Sequence, residues 1–98
     1  MAQAATRIGD KDITHDCQTP SRAQGSNDVF VNGIPWSRMG DLNTTHKYGS
    51  KCKKTHAAPI ATGSKSVFIN GRGAGRIGDS VAGCTRVATG SDNVFAGG

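Results

Sequence analysis

Three residues able to bind a metal stand at the same offset from a repeated tetrapeptide. "RIGD" occupies 7–10, "RMGD" 38–41 and "RIGD" 76–79, and His15, His46 and Cys84 each follow the Asp of one copy by five places. The chain has only three His and three Cys, so chance placement would rarely fill all three equivalent positions. The remaining histidine, His56, lies in the longest of the loops that follow the tetrapeptides and has the reach to supply a fourth ligand. Three imidazoles and one thiolate suit a tetrahedral site for a borderline-soft ion, with Zn²⁺ the default. Four protein ligands leave no position for a reactive water, so the site reads as structural. The absence of Glu, with no Asp in an activating setting, counts against a metal hydrolase. Cys84 ranks first as the thiolate, Cys52 second through the pair Cys52-x-x-x-His56, and Cys17 third. Cys17 and Cys52 could also pair with each other, but the expected cytoplasmic origin argues against a disulfide.

These ligands need a framework, and a second repeat describes it. "GSNDVFVNG" at 25–33, "GSKSVFING" at 63–71 and "GSDNVFAGG" at 90–98 share Gly-Ser-x-x-Val-Phe-x-x-Gly. Each Val-Phe segment reads as a short β-strand. Val29, Val67 and Val94 alternate with Val31, Ile69 and Ala96, and Phe30, Phe68 and Phe95 face the other way. Asn32-Gly33 and Asn70-Gly71 are hairpin signals, because both residue types accept positive φ. The partner strands are expected at Trp36–Met39 and Ala74–Ile77, each closed by its Gly-Asp. Asp10, Asp41 and Asp79 are expected to accept turn N–H groups, and Arg7, Arg38 and Arg76 to pair with an Asp of their own or a neighbouring repeat. The prediction is an all-β fold of short hairpins over 1–98, one domain with three pseudo-threefold repeats. Loops leaving equivalent positions then converge near the axis, where the metal staples the apex.

Composition agrees. Apolar residues make up 35 % of 98 residues and all seven acidic residues are Asp; Asp suits turns where Glu suits helices. A chain this small buries a marginal core and benefits from a staple. No apolar run approaches the ~20 residues of a membrane helix, and "MAQAATRIGD" lacks the apolar segment of a secretory signal. The net charge is +5, most of it from Lys47, Lys51, Lys53 and Lys54. That cluster reads first as a solvated basic loop and second as a phosphate-binding patch; only Tyr48 is at hand for base stacking.

"GIPWSRMGD" and "GRGAGRIGD" resemble the Pro-Ala-Ala-Arg segment that names the PAAR-repeat proteins. Pro35-Trp36-Ser37-Arg38 keeps the Pro and Arg, and Gly73-Ala74-Gly75-Arg76 keeps one Ala and the Arg. "VFVNG", "VFING" and "RIGD" extend the likeness along essentially the whole chain. The resemblance implies a stand-alone tip protein, similar to that of T4-like contractile phage tails and of type VI secretion spikes. It implies a cone whose base caps a trimeric β-helical spike, one copy per trimer, and whose apex holds zinc through three His and one Cys. It implies no enzyme activity. The protein would be made in the bacterial cytoplasm and then sit at a virion tail tip, or be secreted on a type VI spike that contacts the target membrane. Val29, Phe30, Val31, Val67, Phe68, Ile69, Val94 and Phe95 are the expected spike-facing residues. A toxin would need an appended domain, which "VFAGG" at 94–98 leaves no residues for. The rival reading is a zinc-stabilised nucleic-acid binder using the Lys47–Lys54 loop.

Overall fold

Each Arg-x-Gly-Asp tetrapeptide folds into one β-turn. The Asp N–H donates to the Arg carbonyl at 2.9, 2.9 and 3.1 Å for Asp10, Asp41 and Asp79. The third turn residue is Gly9, Gly40 or Gly78, with φ of +91°, +89° and +90°, a region that a Cβ disfavours. Each Asp carboxylate accepts the backbone N–H of its own Arg, at 2.8, 2.7 and 2.7 Å. It also pairs with that Arg's guanidinium, Arg7–Asp10, Arg38–Asp41 and Arg76–Asp79, at 2.9 Å in all three cases. Burial works against ionisation of Asp10, but the Arg7 guanidinium and N–H hold its carboxyl below the usual range. The repeated Arg and Asp are therefore framework residues, as their spacing predicts.

The computed structural model describes residues 2–98, and among these the fold is all-β. Ten short strands form antiparallel pairs: β1 (Gln3–Ala4), β2 (Phe30–Val31), β3 (Ile34–Pro35), β4 (His46–Tyr48), β5 (Lys54–His56), β6 (Phe68–Ile69), β7 (Arg72–Gly73), β8 (Ser80–Val81), β9 (Thr85–Arg86) and β10 (Phe95–Ala96). Asn32-Gly33 and Asn70-Gly71, all at positive φ, turn β2 into β3 and β6 into β7 with matching registers, Phe30↔Pro35 and Phe68↔Gly73. The third hairpin is built from both ends of the chain: β10 pairs with β1 in the same register, Phe95↔Ala4. The expected partner strands at 36–39 and 74–77 sit two residues earlier, in β3 and β7. From Trp36 and Ala74 onward the chain leaves its own hairpin and bridges to the neighbouring repeat. Those contacts run Arg7↔Trp36, Arg38↔Ala74 and Arg76↔Ala5, a closed ring of three. Met39 and Ile77 already lie inside the turns.

On the pseudo-axis the ring tightens to three backbone hydrogen bonds. Thr6 N–H donates to Gly75 O at 3.1 Å, Gly75 N–H to Ser37 O at 2.8 Å, and Ser37 N–H to Thr6 O at 3.0 Å. Only small residues fit there: a Cβ on Gly75 would stand 2.7 Å from Ser37 O. On one side of the ring Ala5, Val31, Trp36, Ile69, Ala74 and Ala96 form the larger apolar core, flanked by Val29, Val67 and Val94. Ser26, Ser64 and Ser91 lock the approach to each Val-Phe strand. Each hydroxyl accepts the N–H of Val29, Val67 or Val94, at 3.0, 2.9 and 3.0 Å. On the other side, Gly9, Gly40 and Gly78 donate to the carbonyls of Arg22, Ile60 and Val87 at 2.9 Å each. This tier carries a second core of Ala58, Ile60, Val81 and Val87, with Cys84 packed against it. Beyond it stand the β4–β5 and β8–β9 hairpins. The molecule is elongated, 39 × 25 × 24 Å.

Candidate metal centre

The four ligands expected from the repeat spacing meet in space. His15, His46, His56 and Cys84 each offer one atom, and all four atoms lie within 4.8 Å of one another. Nδ1 of His15, Nε2 of His46 and Nε2 of His56 form a triangle with sides of 3.1, 3.1 and 3.0 Å. The Cys84 sulfur stands 3.0 Å from His15 Nδ1 and 3.3 Å from His46 Nε2. Tetrahedral bonds of ~2.0–2.1 Å to nitrogen imply nitrogen–nitrogen edges of ~3.3 Å, close to the observed spacing. Three converging imidazole lone pairs cannot all be satisfied by the protons they carry, whereas one cation satisfies all of them. The donor set and its convergence therefore fit a metal ion.

Local structure aims each ring. His46 and His56 are direct cross-strand partners in the β4–β5 hairpin, so both side chains project on one face. His46 Nδ1 lies 2.8 Å from the Thr44 carbonyl; donating there leaves Nε2 with its lone pair free for a metal, the usual outer-shell arrangement. The Asp16 carboxylate is 3.8 Å from the outward Nε2 of His15. Desolvation, with the neighbouring His46 and His15, lowers the His56 pKa and favours its neutral, ligating form. Burial pushes the Cys84 thiol up, so the bare sulfur tends to keep its proton until a cation replaces it.

The structure also brings Tyr48 to this site, a residue the repeat spacing does not point to. Its ring stacks on His56 at 4.0 Å and on His15 at 4.8 Å between centroids. The signal was present in the strand period, because Tyr48 follows His46 by two and must share its face. The spare cysteines correct an expectation: Cys17 and Cys52 are joined in a disulfide, and Cys84 is the free thiol. Hydrogen bonds hold the segments around 17 and 52 side by side: the Gly49 N–H donates to Asp16 Oδ2 at 2.7 Å and the Lys47 N–H to the Gln18 side-chain oxygen. Neither Cys17 nor Cys52 is then available to displace Cys84 as the ligand. Lys47, Lys51, Lys53 and Lys54 are all exposed on or beside the β4–β5 hairpin.

The eight residues expected to face a spike divide. Phe30, Phe68 and Phe95 are exposed, at 53 %, 60 % and 53 %, while Val31 and Ile69 turn inward to the core. Val29, Val67 and Val94 are half-buried against it. Among families of known proteins, the model of the PAAR motif matches residues 51–98. No curated protein matches the chain.

Proposed function

We propose that this chain, a PAAR-repeat protein, is the structural tip of a membrane-piercing spike and caps a trimeric β-helical shaft as a single copy. The observation that carries the reading is the threefold disposition of Phe30, Phe68 and Phe95. They stand at matching places in three hairpins of identical register, exposed to solvent. Among the described residues, no hydrogen bond from outside its own hairpin reaches the backbone of Phe30–Val31 or Phe68–Ile69. Large exposed aromatics beside unpaired strand edges are a surface made to be covered. A trimer presents three equivalent strand ends about one axis, and one chain can match them only by repeating itself three times.

The apex has the opposite task. Only the small cluster of Ala58, Ile60, Val81 and Val87 lies beneath it, so the site of His15, His46, His56 and Cys84 ties its loops together, with zinc the proposed ion. The narrow end then leads into the target envelope of a phage host or of a cell struck by a type VI system. The role is mechanical, with no enzymatic step.

The test is the mass of the complex formed with a β-helical spike protein from the same genome. One copy per spike trimer is expected, and replacing Phe30, Phe68 and Phe95 with Ser should abolish the complex while leaving the fold. Three copies per trimer, or no complex with any such spike, would overturn the cap. Elemental analysis of protein prepared without added metal should show one zinc per chain.

A further inference from the structure

The tier between the core and the metal site breaks the threefold pattern in one place. Arg22, Ile60 and Val87 occupy equivalent positions: each accepts from a turn Gly and donates its own N–H to the preceding Asp carbonyl, at 2.7, 3.0 and 3.0 Å. Two of the three are apolar. Asp12, Asn43 and Val81 likewise stand two places after Asp10, Asp41 and Asp79. The first two repeats thus bury Arg22, Asp12 and Asn43, all at 1–2 % exposure, where the third repeat has Val81 and Val87. The Arg22 guanidinium grips Asp12 with two bonds, Nε to Oδ1 at 3.1 Å and Nη2 to Oδ2 at 2.7 Å. Its Nη1 donates to Asp41 O at 3.3 Å.

A buried ion pair is a poor source of stability, and apolar residues of similar volume usually do as well or better. Ile60, Val81 and Val87 show that apolar residues fit this tier. The polar set leads instead to one atom. Asn43 Oδ1 accepts the Ala58 N–H at 2.8 Å, which settles the orientation of the amide. Its Nδ2 must then face the other way. It donates to Asp12 Oδ2 at 3.0 Å and points its second hydrogen at the Cys84 sulfur, 3.8 Å away. Cys84 is the only free cysteine, and sulfur is a site where a single N–H donor alters the electron density offered to a metal.

We infer that Asn43 is a positioning residue for the metal centre, its amide held by Asp12, Arg22 and the Ala58 N–H so that it donates a hydrogen bond to the Cys84 thiolate and slows loss of the ion. The inference rests on the four-ligand metal reading. Asp12 receives both the guanidinium and the amide, so its negative charge is neutralised before it faces the sulfur. Arg22 is what allows a carboxylate to anchor Asn43 this close to a thiolate.

The probe is Co²⁺ bound to the full chain, which reports sulfur ligation through a thiolate-to-cobalt charge-transfer band. Asn43→Leu should keep tetrahedral cobalt, move that band to lower energy, and lower metal affinity by about 10- to 100-fold. Asn43→Leu also orphans the Ala58 N–H, so a second variant guards against simple misfolding. Asp12→Val with Arg22→Ile copies the residue types of Val81 and Ile60. It should leave the melting temperature of the metal-free chain unchanged or raised, yet weaken metal and shift the band in the same direction, because the amide has lost its anchor. A purely structural role would move the melting temperature and leave the band in place. Native affinity and an unmoved band in the folded variants would overturn the inference. A wild-type chain that takes up no Co²⁺ overturns the metal centre and this inference with it.

Discussion

The two ends of this molecule hold themselves together by different physics. At the broad end three hairpins repeat the same register, the same Ser-capped approach and the same Arg–Asp turn. At the narrow end the three loops share only the offset of a ligand. The difference follows from what each end can bury. The broad end encloses Trp36 and five smaller apolar residues. The apical loops rest only on the smaller cluster of Ala58, Ile60, Val81 and Val87, and ordering them costs ~1–2 kcal/mol of backbone entropy per residue. What these loops have instead is three imidazoles and a thiol converging on one point and a disulfide between Cys17 and Cys52; a metal held by the cluster would supply ~10 kcal/mol or more, as in small zinc modules. Symmetry survives where a symmetric core enforces it and is lost where the loops need only converge on one cluster of side chains.

The strongest way to break this contrast is to remove the metal. His46→Ala should abolish stable metal binding, as measured by elemental analysis. Amide exchange should then rise sharply around 11–20, 44–58 and 82–86. The N–H groups of Thr6, Ser37 and Gly75 should remain the slowest to exchange. If those ring amides exchange as fast as the apex, the two ends are one cooperative unit and the contrast fails.

Reduction of Cys17–Cys52 is the next largest effect, and it depends on the metal. Closing a loop of 35 residues restricts the unfolded chain by about 3–4 kcal/mol in the chain-entropy treatment. His15 and His56 lie close to the two cysteines in sequence, so a bound ion already closes nearly the same loop. Denaturant titrations should show the full loss in metal-free protein and a much smaller one in the metal-bound form. Equal losses in both would mean that the staples act independently.

Glycines sharpen the contrast further. Gly75→Ala pushes a Cβ to 2.7 Å from Ser37 O and 3.0 Å from Ile60 Cδ1, in the ring where the three repeats exchange backbone hydrogen bonds. It should cost about 1–3 kcal/mol. Gly33→Ala meets no atom within 4 Å but must adopt φ +77°, and should cost nearer 1–2 kcal/mol. Thermal melts of the two variants compare crowding on the axis with strain at the rim.

The smallest effect is one of pH. The His56 pKa is lowered by desolvation and by its histidine neighbours, so as pH falls through ~6.5 the unfolded chain takes up a proton before the folded chain does. Stability of the metal-free protein should therefore decline modestly below that pH and recover above it. His56→Gln should flatten the profile. Bound metal steepens it, because protons then compete for all three imidazoles.

Much of this architecture is written in local signals. Arg-x-Gly-Asp demands its turn because only Gly accepts φ near +90° and the Asp carboxylate reaches back to the Arg N–H. Asn-Gly demands its hairpin, and the alternation of Val31 with Phe30 decides which side chain is buried. The recurrence of these units announced three repeats, and the recurrence of a His or Cys five places beyond each Asp put His15, His46 and Cys84 forward as one cluster, which the fold brings together with His56. Other features belong to tertiary structure alone. Nothing near residue 3 or residue 95 says that β1 and β10 pair, because closure of the third hairpin follows from packing three units around an axis. The Cys17–Cys52 bond depends on two segments brought together by contacts that neither cysteine supplies, the Gly49 N–H to Asp16 and the Lys47 N–H to Gln18. Nothing local to Arg22 forecasts its burial; it is buried because its position coincides, through the threefold, with those of Ile60 and Val87. Only the fold sets Asn43 between the Asp12 carboxylate and the Cys84 sulfur. Local chemistry specifies a turn because its partners are three residues apart, while these contacts join residues 10 to 93 positions apart and exist only once the ring has closed.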